Sequence, residues 1–517
     1  MKNYIYIFAA LLLGLLSSCD DFLTQKSPDQ LTTDTFWRDL EDAESAISSA
    51  YSQLENSTNT WDYAEIKWPV EAYREDVVIL GNDAMNYPNW VELSNFNYTN
   101  GNSQFLYYWR NNYTGVSFTN QIIEKIEQIS SDKISGEQRA QIKGEAHFLR
   151  AYYHLKNILN WKDIIIRDKY ITSPSELDKA TSPRIMAWDF IVSDLKKALD
   201  LPISYDGENI GRATSGAAYS YLGFVYLTRA YEEVDKKQEY LELAIEAFNK
   251  VTGYELEENF KSMFNGENKN CKESIFELQF TMNNANGADY TTQAHKWIAA
   301  SELGGWDEII PSERLVNELK KEGEIGKNGM YDKRLYHTIF CDLPYFNDGT
   351  GKVFGSDYKD LFKTAVLGPD GKPTGDFEYY DRPVFHKLLP ATKEKMDKND
   401  SAINLPLMRY ANVLLLKAEA LNELNRTAEA IPLINEVRAK HGDMPPMVGT
   451  TYDDVKKQIE HERIIEFPLE NWRWYDLRRW GKLEEAMKSS GRPNFKLDQH
   501  AFYPIPLSEI YSNNAVK

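Results

Sequence analysis

The sequence is short of positive charge, of cysteine and of long apolar runs, and each shortage narrows what the chain can do. Only 59 basic residues stand against 78 acidic ones, a formal net charge of −19. A protein that gains affinity by displacing counterions from phosphates needs a basic face, so the balance argues against nucleic acid as a ligand. Three cysteines cannot make a disulfide framework or a zinc cluster. Cys271 and Cys341, far apart in the chain, are expected to be buried and unpaired. Beyond the N-terminus no segment has the apolar length needed to span a bilayer.

Catalytic signatures are missing too. In "HERII", Ile465 stands where the H-E-x-x-H zinc pattern needs its second histidine. "DGTGKVFG" has neither P-loop nor dinucleotide spacing, and Ala213 in "ATSGA" replaces the glycine of a nucleophile elbow. The eight histidines are scattered, so neither a metal site nor a cofactor is expected. A glycosidase needs two carboxylates about 5–10 Å apart. With so many acids, a pair in sequence carries no weight, and Glu302, Asp307 and Glu308 are as readily solvated as catalytic. The chain reads as a binder, not an enzyme.

Aromatics, by contrast, are plentiful: 32 Tyr and 12 Trp. Disordered chains are poor in such residues, so this one folds and has rings to spare for a binding surface. At the N-terminus Lys2 precedes an apolar run from Tyr4 to Leu16, the length of a secretory core and too short to span. It ends in "LLSSC", which looks like a lipobox. Residues 1–18 then form a signal peptide, Cys19 carries lipid, 19–30 is a tether and 31–517 a single domain. Asp20 and Asp21 resemble the acidic export signal of surface lipoproteins.

The body is mostly α-helical in texture. "TTDTFWRDLEDAESAISSAYSQL" and "EQRAQIKGEAHFLRAYYHLKNILNW" carry apolar residues at helical spacing behind capping residues. Tyr219, Leu222, Gly223 and Tyr226 fit the first helix of a tetratricopeptide repeat, and Ala244 and Phe248 its second, with a connection that is too long. Ala418, Leu421, Ala430 and Ile434 mark a second copy. The predicted architecture is a tetratricopeptide-like scaffold of helical hairpins, stacked with a right hand, bearing long loop-rich insertions at about 61–115 and 255–405. A few short strands are expected, among them "ESIFELQF".

A sugar ring packs its C–H face on an aromatic ring while its hydroxyl edge asks for amides, carboxylates or guanidinium. Two stretches offer this. One places Tyr87 and Trp90 near Arg74, Asp76, Asn82, Asp83 and Asn89; the other holds Tyr290, Trp297 and Trp306. Trp90, among polar loop residues, is the predicted platform. "NWRWYDLRRWG" (Asn471–Gly481) crowds three Trp and three Arg into eleven residues. Trp474, Leu477 and Gly481 share a helical face, and arginines beside tryptophans can stack on them and pair with acids, which suits a helix–helix seam.

In order along the chain, the lipobox, "FWRDLEDAESAISSAYSQL", "GEAHFLRAYYHL", "RYANVLLLKAEALNEL", "IEHERIIEFPLENWRWYDLRRWG" and "YPIPLSEI" resemble the SusD/RagB family of outer-membrane nutrient-binding lipoproteins. The resemblance implies a scaffold whose variable loops bind oligosaccharide or polysaccharide. It also implies a TonB-dependent SusC-like transporter as partner, and a lipid-anchored position in the outer membrane facing the exterior. "FPLENWRW" departs from the family's Phe-Glu-Gly-like turn, and the end is shorter than usual. Peptides or other nutrients on the same scaffold are the alternative ligands; a surface glycoside hydrolase is the alternative activity.

Overall fold

Side-chain caps set where the helices begin. Asp39 caps α1 (Leu40–Ser52), Asn102 caps α3 (Ser103–Lys125), and a reciprocal Ser135/Gln138 capping box opens α4 (Gly136–Asn160). Between the first two, Pro88 stands in the opening turn of α2 (Pro88–Asn95), where its missing N–H costs nothing. Next come α5 (Arg184–Lys197), α6 (Ser215–Glu232, capped by Thr214) and α7 (Lys237–Asn249). The C-terminal third adds α8 (Tyr410–Glu423), α9 (Thr427–Gly442), α10 (Tyr452–Glu466) and α11 (Arg473–Arg479). The computed structural model describes residues 36–55, 68–282, 290–343 and 351–516. The leader, Cys19, Asp20, Asp21 and the tether lie outside them.

The helices form a continuous array: α3 packs on α4, α4 on α5, α5 on α6, α6 on α7, α7 on α8, and α8 on α9 and α10. The hairpin reading holds in its details. A Cβ on Gly223 would sit 2.5 Å from the ring of Phe248, so the small residue lets α7 approach α6. Tyr226 stacks on Tyr240 across the same seam, at 6.0 Å. The overlong connection is taken up by one 3₁₀ turn, Val234–Lys236. In the second hairpin Ala418, Leu421, Ala430 and Ile434 are all buried.

Strands are short and pair in twos. Those of three residues or more among the described residues are β1 (Val78–Leu80), β2 (Ser274–Leu278), β3 (Ile309–Pro311), β4 (Lys363–Leu367), β5 (Pro373–Tyr379) and β6 (Leu405–Arg409). β1 pairs with β3, β2 with β6, and β4 with β5, each antiparallel. β2 is the strand expected in "ESIFELQF".

The early loop region needs correcting. Pro88–Asn95 is helical, and after a short link "SQFLYYWRNNYTGVSFTNQIIEK" is one helix of 23 residues. Its period was hidden because asparagines occupy inward positions. Asn111 donates to the Gln53 carbonyl, Asn112 to Asn157, and Asn120 to the carbonyls of Arg167 and Lys169. Buried amides that satisfy themselves this way look like loop residues in a sequence. In the later region "LGPDGKPTGD", expected as turn, contributes the end of β4, its turn and the start of β5.

α11 is a seam, as its composition suggested. Trp474 and Leu477 are fully buried, with the Arg74 guanidinium 4.6 Å over the Trp474 ring. Arg473 donates to both oxygens of Asp76 (2.7 and 2.8 Å), and Arg479 to both oxygens of Glu419 (2.7 and 2.8 Å). Cys271 and Cys341 are free thiols; Cys341 is buried and Cys271 partly so.

Candidate functional site

β1 and β3 bring the two aromatic stretches together. Val78 lies opposite Pro311 and Leu80 opposite Ile309, so the residues after β1 run beside those before β3. Gly81 makes the approach possible: a Cβ there would fall 1.8 Å from the Asp307 carbonyl oxygen. Its N–H donates to the Glu308 carbonyl at 3.0 Å, and the Asn82 N–H to an Asp307 carboxylate oxygen at 3.2 Å.

The rings form a ladder. Tyr87 stacks on Trp90 at 4.0 Å, Trp90 lies 4.8 Å from Trp297, and Trp297 meets Trp306 edge-on at 6.2 Å. Exposure falls steeply along it, from 40% for Tyr87 to 4% for Trp90 and 1% for Trp297. Trp90 is therefore not the open platform its polar neighbours suggested. Pro88 starts a helix, and the helical period turns Trp90, Leu93 and Ser94 inward. Tyr87, at the N-cap of that helix, keeps an outer face. Beyond Trp297, the deepest ring, Trp306 is only half-buried.

Four other expected contact residues are already engaged within the fold. Arg74 and Asp76 are buried in the α11 seam, one stacked on Trp474 and the other paired with Arg473. Asn89 is spent on the fold, its amide donating to Ser103 Oγ at 2.8 Å. Tyr290 stacks on Phe280 at 5.7 Å. Asn82 and Asp83 are exposed beside the ladder.

A polar rim that the sequence reading missed completes the patch. Arg382 Nη2 donates to both oxygens of Asp307 (2.5 and 2.6 Å), and Nη1 to both oxygens of Glu302 (3.1 Å each). The Tyr380 hydroxyl donates to Glu302 at 2.8 Å. Glu302 and Asp307 are thus bound in ion pairs rather than solvated. Burial first, then Asp83 and Asp307, push the Glu308 carboxyl up to about 8, so it keeps its proton at neutral pH and hydrogen-bonds Asp83. The signal for Arg382 and Tyr380 was present in "YYDRPVF", but nothing in sequence joined it to position 307.

Two clusters have ligand-like spacing, Glu273–His441–Glu466 and Glu322–His461–Glu462. Both are already neutralised. Arg409 bonds Glu273 and Glu466 (2.5 and 2.9 Å), while Arg334 and Arg438 bond Glu462 (2.7 and 2.6 Å). His441 sits between its two glutamates at 2.9 Å each. Burial pulls its pKa down, but Glu466 and Glu273 outweigh it and hold it at about 9. A cation there would meet guanidinium and imidazolium.

Residues 272–517 match the family model described as "SusD family", and residues 21–227 match "Starch-binding associating with outer membrane". The chain belongs to the SusD family. It is 26% identical to "SusD-like protein P2" of Formosa agariphila over 99% of this chain and 98% of that one. A SusD superfamily protein from Bacteroides vulgatus superposes with a TM-score of 0.78 at 28% identity, covering 93% of this chain and 99% of that one. A SusD-like carbohydrate binding protein from Bacteroides fragilis does so with 0.75 at 20% identity, covering 93% and 100%. The helical array of this SusD-family chain is thus shared, while the ladder and its rim are described from its own residues. Among the described residues no helix is long and apolar enough to cross a membrane.

Proposed function

We propose that this SusD-family protein captures oligosaccharide or polysaccharide at the cell surface and passes it to a TonB-dependent SusC-like transporter in the outer membrane. The observation that carries the reading is the Tyr87–Trp90–Trp297–Trp306 ladder, open at Tyr87 and flanked by Asn82, Asp83 and the Arg382 ion pairs. A stacked ring backed by further rings is a rigid apolar face for a sugar's C–H side, and amide and carboxylate groups beside it suit its hydroxyls. The similar Bacteroides fragilis protein, described as carbohydrate binding, supports the same ligand class. Lipidation at Cys19 supplies the anchor.

A glycan array probed with the mature chain in detergent tests the reading. Capture of one family of glycans, confirmed by calorimetric titration, is the expected result. Capture of none, with binding to peptides instead, would transfer the scaffold to another nutrient. Release of new reducing ends during incubation would make it a hydrolase.

A further inference from the structure

Of the three arginines in Asn471–Gly481, two are held by carboxylates. Arg473 is taken by Asp76, and Arg479 by Glu419 and Asp476. Arg478 has no such ion pair among the described residues. Its hydrogen bonds leave from Nη1 alone, to the carbonyls of Leu159 (2.7 Å) and Ala501 (3.5 Å).

Arg478 lines a cavity of about 390 Å³, bounded by the end of α4, by α5, α6 and α11, and by Phe502. That volume lies within the roughly 300–1,000 Å³ of small-molecule sites. The nearest wall acid is already used. Glu232 accepts from Arg184 Nε and Nη2 (2.7 Å each) and from Trp188 Nε1 (2.8 Å). The Phe502 ring lies between two cations, 4.7 Å from Arg184 and 4.4 Å from Arg478. Burial and the neighbouring Arg184 charge push Arg478 down to about 9. Leu159, Ile185, Trp188 and Ala501 supply an apolar part of the wall beside Lys162 and Thr228, and the second wall acid, Glu233, is taken by Arg229 and Tyr240. A guanidinium with an unused fork in such a setting favours a planar anion that brings its own apolar body.

We propose that this cavity binds a small monocarboxylate with a flat apolar body, the carboxylate on Nε and Nη2 of Arg478 and the body against Ile185, Trp188 and Phe502. It shares no residue with the aromatic ladder, so it stands or falls separately from the glycan reading.

The test is calorimetric titration of the full mature chain in detergent with 3-phenylpropionate, its neutral amide and inorganic phosphate. Phenylpropionate is expected to bind with a Kd of about 1 mM or tighter, and the amide about tenfold or more weakly. Arg478→Gln should lose at least about tenfold. Ile185→Trp, at a position 54% exposed on the rim, fills the cavity while leaving the cation, and should abolish binding. If Arg478→Gln does not fold, Ile185→Trp decides. No saturable binding of phenylpropionate, equal binding of the amide, or full affinity in either variant overturns the site. Phosphate binding in preference to phenylpropionate overturns the carboxylate.

Discussion

Tyr87 turns one face to solvent while its other face rests on Trp90, so its loss should be felt by a ligand before the fold. Tyr87→Ala is expected to weaken glycan binding by about 1–2 kcal/mol, roughly tenfold, with only a small change in melting temperature. Trp90→Ala removes a buried ring that touches Tyr73, Tyr87 and Trp297. It should cost about 3–5 kcal/mol of stability and weaken binding as a consequence. Titration and thermal melts on both variants separate the roles, and a Tyr87→Ala that binds normally would remove the ladder's outer ring from the site. Glu308 adds a pH dependence. Its folded-state pKa lies near 8, above the ordinary value of 4.5, so what it contributes is fully present below about 4.5 and lost as pH rises through about 8. Ionised Glu308 would repel Asp83 and loosen the turn that bears Asn82. Melting temperature should therefore fall more steeply between about pH 5 and 8, and binding between about pH 7 and 9, in the wild type than in Glu308→Gln. Equal slopes would show that Glu308 does not hold that turn. The sequence made the aromatic membership of the patch legible, but not its order. Which ring faces out depended on Pro88 starting a helix, and the Arg382 clamp depended on two segments 75 residues apart meeting.

The hairpins were readable because their constraint is local. Small and large residues alternate at helical spacing, and two helices joined by a short turn must meet. Gly223 is the sharpest case, with Phe248 closed over it. Gly223→Val should force the α6–α7 pair apart and cost about 1–3 kcal/mol, the usual penalty of overpacking. Chemical denaturation of that variant beside Gly223→Ala measures it, and unchanged stability in both would mean that Phe248 can turn aside freely. α3 was unreadable for the opposite reason. Its Asn111, Asn112 and Asn120 are buried, and their partners at 53, 157, 167 and 169 come from distant chain. A period made of amides that bond to distant chain exists only in the folded state.

A binder by itself cannot move its ligand across a membrane, so the proposed function calls for both attachment and a partner. The proposed attachment is Cys19, and the apolar run before it has the length of a cleaved leader. In the wild type, metabolic labelling with a fatty-acid analogue should mark the protein and fractionation should place it in the outer membrane. Cys19→Ala should lose the label and leave the membrane fraction, while the released chain melts and binds glycan as before, since the ladder owes nothing to the lipid. Gentle extraction of the wild type should also bring down a β-barrel transporter, and extraction of the Cys19→Ala chain much less of it. A wild type that takes no label would remove the anchor. A labelled wild type that repeatedly emerges without a barrel would keep the anchor and remove the partner.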